Sequence, residues 1–400
     1  MIWAVLIAGG IYIMVIAFFL YGWEKLKGFT PAQRECKTFV SVIVPMRNEQ
    51  LTITRLLYDL YGQNYPADLH EIIVVNDHST DQSSQKAGYF QKDNIKILSL
   101  PESHAGKKAA IRFGIEAARG ELIVTTDADC HIGNNWLRCL AEYYEKYSPV
   151  MILGPVIASP RPSASGRTSS PKERESGLSL HIGEASLSGR GQEGGFPQMQ
   201  ALELFSLLGS TAGAVANGYP IMCNGANLAF VKTIYPEIEH IYKNEKIRSG
   251  DDMFVMLELK KKYPNKIHFL KSTEATVNTL LINNLFSFFR QRKRWAAKAK
   301  FYNDISISGT ALIVFLVNML LMTCLVIGFV KGNFFYFLIL FLIKSAIDFP
   351  FLYRVTTFFG EKQLMRWFPV VQSFYFLYVC FTAIAAMITP ITWKGRVIKY

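Results

Sequence analysis

Two aspartates, Asp127 and Asp129, directly follow an apolar run at Leu122–Thr126 that has the composition of a buried strand. Side chains two residues apart on an extended chain project to the same face. Both carboxylates can therefore converge on one hard cation and on a diphosphate that the cation holds. An Asp-x-Asp triplet is also common by chance, so the spacing by itself does not decide that this is a metal site.

Short β-rich runs alternate with helical stretches around this triplet, which is the pattern of an α/β domain. Strands this apolar, joined by helices, predict a mostly parallel sheet that is covered on both faces. Ligands bind beyond the carboxyl ends of such strands, so the residues directly after each strand are the informative ones. The predicted strands are Phe39–Pro45, Glu71–Val75, Ile95–Leu98 and Leu122–Thr126, and the predicted helices are Gln50–Tyr61, Gln82–Phe90 and Lys107–Ala118.

Polar, turn-rich loops follow the first two predicted strands. Pro45–Glu49 comes after the first strand, and Asn76–Asp81 comes after the second. Asn, Asp, Ser and Thr at these places are suited either to ligand binding or to capping the helix that follows. The loops alone leave both interpretations open.

Taken with motifs further along the chain, these loops resemble the family 2 glycosyltransferases that have a GT-A nucleotide-binding fold. The resemblance runs from Thr38 to Lys300 apart from one segment, and the QxxRW motif is its most specific element. The matching segments are Val42–Glu49 (the opening strand and loop), Val74–Asp81 (the base-binding acidic loop), Gly106–Lys107, Asp127–Asp129, Gly250–Asp252 (the acidic pair with the general base) and Gln291–Trp295 (the QxxRW signature of membrane-bound members).

The resemblance implies a nucleotide-sugar donor, with a UDP-sugar preferred, and a divalent metal, either Mg²⁺ or Mn²⁺. It implies that Asp129 is the metal ligand, that Asp127 contacts the metal or the ribose, and that Asp252 is the catalytic base. It also places the nucleotide-sugar at Pro45, Glu49, Asp77, Lys107 and Asp127, and the acceptor or diphosphate side at Asp251, Gln291, Arg294 and Trp295.

The chemistry implied by the resemblance is one-step displacement at the anomeric carbon of the sugar, with inversion. An acceptor hydroxyl must lose a proton, for which a well-placed base contributes roughly 100- to 10,000-fold. The cation neutralises the departing diphosphate as a Lewis acid, and Lys107 and Arg294 would add positive charge, although a solvated lysine is the other interpretation of Lys107. Arg47, Asn76 and Asp251 stand where the family more often has Tyr, Asp and Glu, so the base and the sugar stay undecided.

Apolar runs without charge lie at both ends of the chain. Met1–Trp23 is long enough to cross a hydrocarbon layer of about 30 Å as a helix. The basic residues after it predict an uncleaved anchor with that flank inside. Ile305–Val330 and Trp367–Trp393 are long enough to cross as well.

A further apolar stretch near the C-terminus, Asn333–Tyr353, contains charged residues. It is either a third C-terminal crossing or a re-entrant or interfacial piece, so two or three spans are predicted there. Lys344 and Asp348 are four residues apart, so a helix would place them side by side, where pairing lowers the cost of immersing them.

These patterns predict an N-terminal anchor followed by a large cytoplasmic domain and a second membrane region. Residues 155–198 are rich in Ser, Gly and Pro and predict a flexible insertion in which the lone His181 makes no metal site. Cys223–Phe230 resembles the family's acceptor-side segment or is a turn between strands. The predicted divisions are 1–23 (anchor), 28–304 (glycosyltransferase domain, with an interfacial amphipathic helix at 285–301), 305–393 (membrane region) and 394–400 (basic tail).

The net charge of +12 raises the question of nucleic acid, but zinc-finger spacing, RNA-binding aromatic signatures and recognition-helix patterns are all lacking from the sequence. With membrane spans present, anionic lipid headgroups are the expected partner, and no nucleic acid is expected. The six cysteines form no CxxC pair, which fits a reduced, cytoplasmic setting.

The acceptor is the least determined part of the prediction. Transfer of one sugar to a hydroxyl or phosphate of a membrane lipid is favoured, because so few spans offer little material for a sealed polymer channel. Processive synthesis of a membrane polysaccharide is the first alternative, since QxxRW is frequent among such synthases. A membrane-tethered protein that binds nucleotide-sugars without catalysis is an alternative of another class.

Overall fold

The computed structural model describes the larger part of the chain. Side chains are not described for three of the predicted features: the basic tail, most of the insertion that contains His181, and Lys300. The structure describes residues 1–32, 34–92, 94–158, 195–243, 250–298 and 301–388, and the backbone of 391–393 and 396–398.

The chain divides into two compact units, each of which is built from separate stretches of sequence. The first unit comprises Met1–Leu26, Gly195–Met222 and Ile282–Tyr400. The second unit comprises Lys27–Gly194 and Cys223–Leu281. Parts of the predicted domain 28–304 therefore group with the apolar helices of the first unit.

The second unit is built around a twisted, mostly parallel sheet of seven strands. Its strands are rich in Val and Ile, which favour a pleated, buried surface. One strand of this sheet, β8 (Leu228–Val231), runs antiparallel to both of its neighbours. The strands, in spatial order, are β3 (Ile95–Ser99), β2 (His70–Asn76), β1 (Val40–Met46), β4 (Leu122–Thr125), β8 (Leu228–Val231), β6 (Met151–Leu153) and β9 (Ile267–Phe269).

Helices cover this sheet, and the predicted strands and helices are all present with ends that shift by at most three residues. Gly114 lets one helix approach β1 closely, because a Cβ there would lie 2.6 Å from Cγ2 of Ile43. The helices are α2 (Ile53–Tyr61), α3 (Ser83–Gly88), α4 (Lys107–Ala117), α5 (Trp136–Tyr147), α7 (Tyr235–Lys243) and α8 (Asp251–Lys262), with 3-10 turns at Ala67–Leu69 and Lys232–Ile234 and a small sheet of β5 (His131–Ile132), β10 (Val277–Asn278) and β7 (Val156–Ile157).

A buried carboxylate, Glu71, lies near the start of β2 and is 0% exposed. Its Oε1 accepts hydrogen bonds from Oγ of Ser41 at 2.8 Å and from the N–H of Arg119 at 2.6 Å. Its Oε2 accepts from Nζ of Lys96 at 2.9 Å. Burial by itself would raise the pKa of Glu71, but these donors outweigh it and lower the pKa below its ordinary value.

The first unit consists mainly of long helices. Within the described residues, four helices are long and apolar enough to cross a membrane: Ile2–Lys25, Ile305–Lys331, Phe335–Phe358 and Lys362–Ile388. Three of these helices follow residue 300. Two or three C-terminal spans are predicted from the sequence, and three is the larger of these numbers. The helices of this unit are α1 (Ile2–Lys25), α6 (Gly195–Ala216), α9 (Leu285–Ala296), α10 (Ile305–Lys331), α11 (Phe335–Phe358) and α12 (Phe368–Ile388, after a 3-10 turn at Lys362–Trp367), followed by strands β11 (Ile391–Trp393) and β12 (Arg396–Ile398).

The last predicted span, Trp367–Trp393, ends early in the structure. Its helix ends at Ile388, and β11 occupies the final residues of the predicted span.

Small residues and a polar network join the helices of the first unit. A Cβ on Gly22 of α1 would lie 2.0 Å from the carbonyl oxygen of Gly213 on α6, so the two backbones touch there. Lys344 and Asp348 pair at 2.5 Å, as their spacing predicts, and Asp348 also accepts a hydrogen bond from Tyr12 at 2.9 Å. Every buried charge in this network is therefore paired.

We predict that Glu71 makes the stability of the second unit depend on acid pH. Because its pKa is lowered in the folded state, its stabilising effect is present above the unfolded-state pKa of about 4.3. The effect is lost as the pH falls through the lower folded-state pKa. Melting temperatures of the wild type and of Glu71→Gln, measured from pH 7 to pH 3, should differ at neutral pH and converge in acid. A difference that stays constant over this range would contradict the prediction.

Candidate functional site

Three of the predicted loops lie at one edge of the large sheet, because β2, β1 and β4 are adjacent and parallel. The N–H of Asp77 donates to the carbonyl of Met46 at 2.8 Å. The N–H of Thr126 donates to the carbonyl of Ile43 at 3.3 Å. The loops after β2 and β4 are therefore both tied to β1, at the carboxyl edge where ligands bind in sheets of this kind.

Asp77 presents an unused hydrogen-bond acceptor. The residue is 3% exposed, and its Oδ2 pairs with Nη1 of Arg47 at 3.3 Å. Its Oδ1 is buried and has no hydrogen-bond partner within the part of the chain that the structure describes. A buried acceptor without a partner is costly, so the site is suited to a ligand that brings an N–H donor.

The other acid of the same loop, Asp81, has its acceptors occupied by backbone donors. Its Oδ1 accepts from the N–H of Ser83 at 2.9 Å, at the start of α3, and its Oδ2 accepts from the N–H of Gln50 at 3.2 Å. Glu49 is also tied locally, because its Oε2 accepts from the hydroxyl of Thr52 at 3.1 Å. Capping therefore explains Asp81 and part of the environment of Glu49, whereas it does not explain Asp77.

Pro45 lies next to the end of β1, where it pairs with Val75 of β2. Its ring has no N–H and it stands one residue before the strand ends, so it costs the sheet little. This position puts Pro45 at the same edge of the sheet as Asp77.

Asp127 and Asp129 alternate with buried residues. Both carboxylates are half-buried, whereas Ala128 and Cys130 are 3% exposed. The segment is a turn and not an extended chain, because the N–H of Cys130 donates to the carbonyl of Asp127 at 3.1 Å, so the predicted extended geometry of this triplet is wrong. Burial, followed by the charges of the two aspartates, raises the pKa of the Cys130 thiol well above its ordinary value.

Lys107 provides positive charge among these carboxylates. It begins α4 and forms an ion pair with Oδ1 of Asp127. Burial lowers its pKa, but the charge and hydrogen bond of Asp127 and the nearby charges of Asp251 and Asp252 outweigh burial and raise it. The structure thus brings Lys107, Asp127, Asp251 and Asp252 into one electrostatic neighbourhood.

The two acids at the start of α8 have different environments. Asp251 is 9% exposed, whereas Asp252 is more open. Oδ2 of Asp252 accepts from the N–H of Gly225 at 3.0 Å, and its Oδ1 accepts from the N–H of Met253 at 2.9 Å. The carboxylate of Asp252 is therefore held in one orientation while remaining accessible.

The QxxRW residues lie on α9 in the first unit, where the buried Arg292 is their common partner. Its guanidinium donates to Oε1 of Gln291 and lies over the ring of Trp295, 4.3 Å from the centroid. Nε and Nη2 of Arg292 contact Oε2 of Glu203 at 2.7 Å and 2.6 Å, and both residues are 5% exposed. The hydroxyl of Tyr378 donates to the other carboxylate oxygen of Glu203.

Glu203, Tyr378 and Arg292 are not among the site residues predicted from the sequence. One signal was available for Glu203. It is an isolated acid within the long apolar helix α6, and such an acid needs a buried partner. Arg294 also lies on α9 and is half-buried.

The candidate metal centre offers two carboxylates. Within the described residues, no three His, Cys, Asp or Glu side chains form a group that could hold a metal ion. A pair of carboxylates still fits Mg²⁺ or Mn²⁺, because such ions often take one or two carboxylates together with substrate phosphates and water. The donor set of Asp127 and Asp129 therefore fits a cation that is bound together with a phosphate ligand.

Residues 41–188 match the family described as Glycosyl transferase family 2. The matched segment, which is less than half of the chain, is similar to a family of glycosyltransferases, and this is the enzyme class predicted from the sequence. The match covers the loops that contain Asp77, Asp127 and Asp129.

Among individual proteins, the chain is similar to glycosyltransferase AglE of Haloferax volcanii, with 36% identity over 101 residues. It is also similar to human dolichyl-phosphate beta-glucosyltransferase, with 37% identity over 100 residues. These alignments cover 25% and 22% of this chain and 33% and 31% of the relatives. The similarity thus spans at most about a third of each relative.

The solved structure of the mannosyltransferase PcManGT from Pyrobaculum calidifontis, in complex with GDP-Man and Mn²⁺, aligns with a TM-score of 0.55 at 14% identity. The alignment covers 96% of this chain and 97% of that one. At this level of identity the likeness shows the fold. The predicted fold class, a GT-A domain with a mostly parallel sheet and apolar helices at both ends, is confirmed.

We predict that the Glu203–Arg292 pair stabilises the first unit only while both charges are present. Arg292→Met or Glu203→Met leaves the other charge buried without its partner, which costs about 3–5 kcal/mol. The double variant buries neither charge and should be more stable than either single variant. Thermal unfolding of the purified protein in detergent measures this order.

Arg290→Met on the same helix is the matched control, because Arg290 is exposed. It should change stability by no more than about 0.5 kcal/mol. Equal stability of the two single variants and the wild type would contradict the assignment of a coupled buried pair.

Proposed function

We propose that this protein transfers one sugar from a nucleotide-sugar donor to a hydroxyl or phosphate of a membrane lipid, with inversion of the anomeric centre. The observation that carries the proposal is the gathering of Lys107, Asp127, Asp251 and Asp252, of which Lys107 and Asp127 lie in the segment that matches the family 2 glycosyltransferases. Within the described residues, four helices are long and apolar enough to cross a membrane.

The environment of Asp77 supports a nucleotide donor. Among the described residues, Oδ1 of Asp77 has no partner, and Arg47 is bonded to the other oxygen of the same carboxylate. The acceptor on Asp77 and the nearby donor on Arg47 together suit a nucleobase edge on which an N–H lies beside a carbonyl. Uracil and guanine both have such an edge. We favour a UDP-sugar from the family resemblance, and GDP-mannose is the first alternative because the mannosyltransferase of similar fold was solved with GDP-Man.

A divalent cation is the cofactor that we propose, held by Asp129 and Asp127. The two half-buried carboxylates support it, and the mannosyltransferase of similar fold was solved with Mn²⁺. When bound, the cation supplies Lewis-acid neutralisation of the departing diphosphate. Lys107 adds positive charge beside Asp127, at the place where negative charge grows during the reaction.

Asp252 is the proposed base, which removes the proton of the acceptor. It is the more open member of the acidic pair, and N–H donors of Gly225 and Met253 hold its two oxygens. A fixed, accessible carboxylate meets the geometric requirement of a base that must reach an incoming hydroxyl. The more buried Asp251 is assigned to the acceptor or diphosphate side.

We propose a lipid acceptor and a catalytic domain that faces the cytoplasm. One relative by sequence is named a dolichyl-phosphate glucosyltransferase, and its named acceptor is a lipid phosphate. Lys25 and Lys27 follow the first apolar helix, and a basic flank is typical of the inner side. Gln291, Arg294 and Trp295 are proposed to act on the acceptor or diphosphate side, as the QxxRW resemblance implies.

Transfer itself can be tested with the purified protein, lipid extracts, Mg²⁺ or Mn²⁺, and a set of UDP-sugars and GDP-mannose. Nucleoside diphosphate release and mass spectrometry of lipid and polymer fractions are the measurements. A lipid that gains one sugar supports the proposal. A long polymer would indicate a processive synthase, and the absence of diphosphate release with every donor would favour a binding protein without catalysis.

We predict that Asp252→Asn abolishes transfer while nucleotide-sugar binding is largely kept. The amide keeps the shape of the carboxylate but cannot accept the proton, so kcat should fall by at least about 100-fold. Turnover assays and calorimetric titration with the donor separate the two effects. Glu258→Gln, on the same helix, is the control and should leave both quantities unchanged. Retained turnover in Asp252→Asn would remove this residue as the base.

We predict that Asp129→Asn removes the metal dependence of donor binding. In the wild type, adding a chelator should weaken donor binding by at least about tenfold, because a cation held by Asp129 and Asp127 would supply positive charge to the diphosphate. The variant should bind the donor weakly with or without Mg²⁺ or Mn²⁺. Asp68→Asn, an exposed residue of the same unit, is the control. Full metal dependence in Asp129→Asn would refute this metal assignment.

A further inference from the structure

Gly225 links Asp252 to β4, the strand that precedes Asp127 and Asp129. Its N–H donates to Oδ2 of Asp252 at 3.0 Å, and its carbonyl accepts from the hydroxyl of Thr125 at 2.7 Å. Thr125 is the last residue of β4 and lies two residues before Asp127. Two hydrogen bonds through one glycine therefore join two parts of the candidate site that are distant in sequence.

Thr125 is a rigid starting point for this connection. It is 3% exposed and pairs with Leu228 of β8 and with Ile43 of β1, so its backbone is held on both sides in the sheet. Its hydroxyl points to a single carbonyl at short distance. A β-branched side chain in a strand has few rotamers, which keeps the hydroxyl in place.

The loop around Gly225 is held by its neighbours. The N–H of Ala226 donates to Oδ1 of Asn224 at 3.0 Å, which forms a local turn. The side chain of Asn227 donates to the carbonyls of Pro155 and Ala275 at 2.9 Å and 2.8 Å. The loop is thus anchored after Gly225, while Thr125 anchors Gly225 itself.

Asp252 depends on Gly225 for its support from outside its own helix. Within the part of the chain that the structure describes, the other donor to its carboxylate is the N–H of Met253, the next residue along α8. A bond to the adjacent residue restrains the rotamer but does not tie the helix to the sheet. The Gly225 N–H supplies that tie, and its place is set by Thr125.

We propose that Thr125 is a positioning residue for the reaction, which acts through Gly225 to hold the carboxylate of Asp252 at a fixed place relative to Asp127 and Asp129. This inference rests on the proposed function, in which Asp252 takes the proton of the acceptor. The hydroxyl of Thr125 contacts neither the substrate nor the metal in this proposal. Removal of this hydroxyl should therefore slow turnover without weakening the binding of the donor.

The test is a comparison of Thr125→Val, Thr125→Ser and the wild type. Valine has the shape of threonine without the hydroxyl, so kcat should fall about 10- to 100-fold, the effect expected when a catalytic group is misplaced by a fraction of an ångström to 1 Å. The donor affinity in Mg²⁺ and its loss on adding a chelator should stay as in the wild type. Serine restores the hydroxyl, and kcat should return close to the wild-type value.

Thr276→Val is the matched control. Thr276 is also buried in the second unit, and its hydroxyl also donates to a backbone carbonyl, that of Ser272 at 3.2 Å. It should lower the melting temperature to a similar degree as Thr125→Val and leave kcat unchanged. This comparison separates a loss of stability from a loss of positioning.

Several outcomes would overturn the inference. Wild-type kcat in Thr125→Val, an equal loss of kcat in Thr125→Ser, or an equal loss in Thr276→Val would each show that the hydroxyl does not position the base. A parallel loss of donor affinity in Thr125→Val would show that it acts on the donor side instead. If the wild type itself transfers no sugar, the proposed function fails and this inference falls with it.

Discussion

Like charges gathered at one place repel, and this constraint governs the edge of the large sheet. Asp127, Asp251 and Asp252 all contribute to the electrostatic environment of Lys107, whose ammonium pairs with Asp127. These carboxylates all act on one ammonium, so they also repel one another. Such a site is suited to a cation, and a cation in turn is suited to a diphosphate. The fold maintains this unfavourable arrangement because Asp127 follows β4, whereas Asp251 and Asp252 begin α8.

Buried charges elsewhere in the chain follow the opposite pattern, since each has a partner in the protein. Glu71 is surrounded by donors, Glu203 pairs with Arg292, and Asp348 pairs with Lys344. These groups have their hydrogen bonds satisfied within their own units, which is the expected state of a structural charge. Asp77 differs from them because one of its oxygens is buried without a partner in the described chain. That contrast distinguishes a candidate ligand contact from a structural acid.

Neighbouring acids of similar sequence context have different environments in this protein. Asp77 and Asp81 share one loop, yet Asp81 accepts hydrogen bonds at the start of α3, whereas Asp77 keeps an open acceptor. Asp251 and Asp252 are adjacent, yet the first is the more buried. The cause is local geometry: successive residues at a helix start or in a loop point in different directions, so neighbouring acids meet different surroundings.

Much of the architecture follows from local patterns in the amino-acid sequence. Runs of Val and Ile between polar loops were enough to place the parallel strands within a few residues, because burial on both faces of a sheet demands continuous apolar strands. The charge-free runs were enough to predict the long helices, and the short motifs were enough to indicate the enzyme class. These signals are local in sequence, so they can be read without knowledge of the packing.

Which residues contact one another depends on how the elements pack. β8 enters the sheet antiparallel, between β4 and β6, although it follows them far along the chain. The contacts of Thr125 with Gly225 and of Arg292 with Glu203 join residues about one hundred positions apart. No periodicity or spacing records such pairs, because they arise when separate elements pack and their side chains compete for the same buried partners.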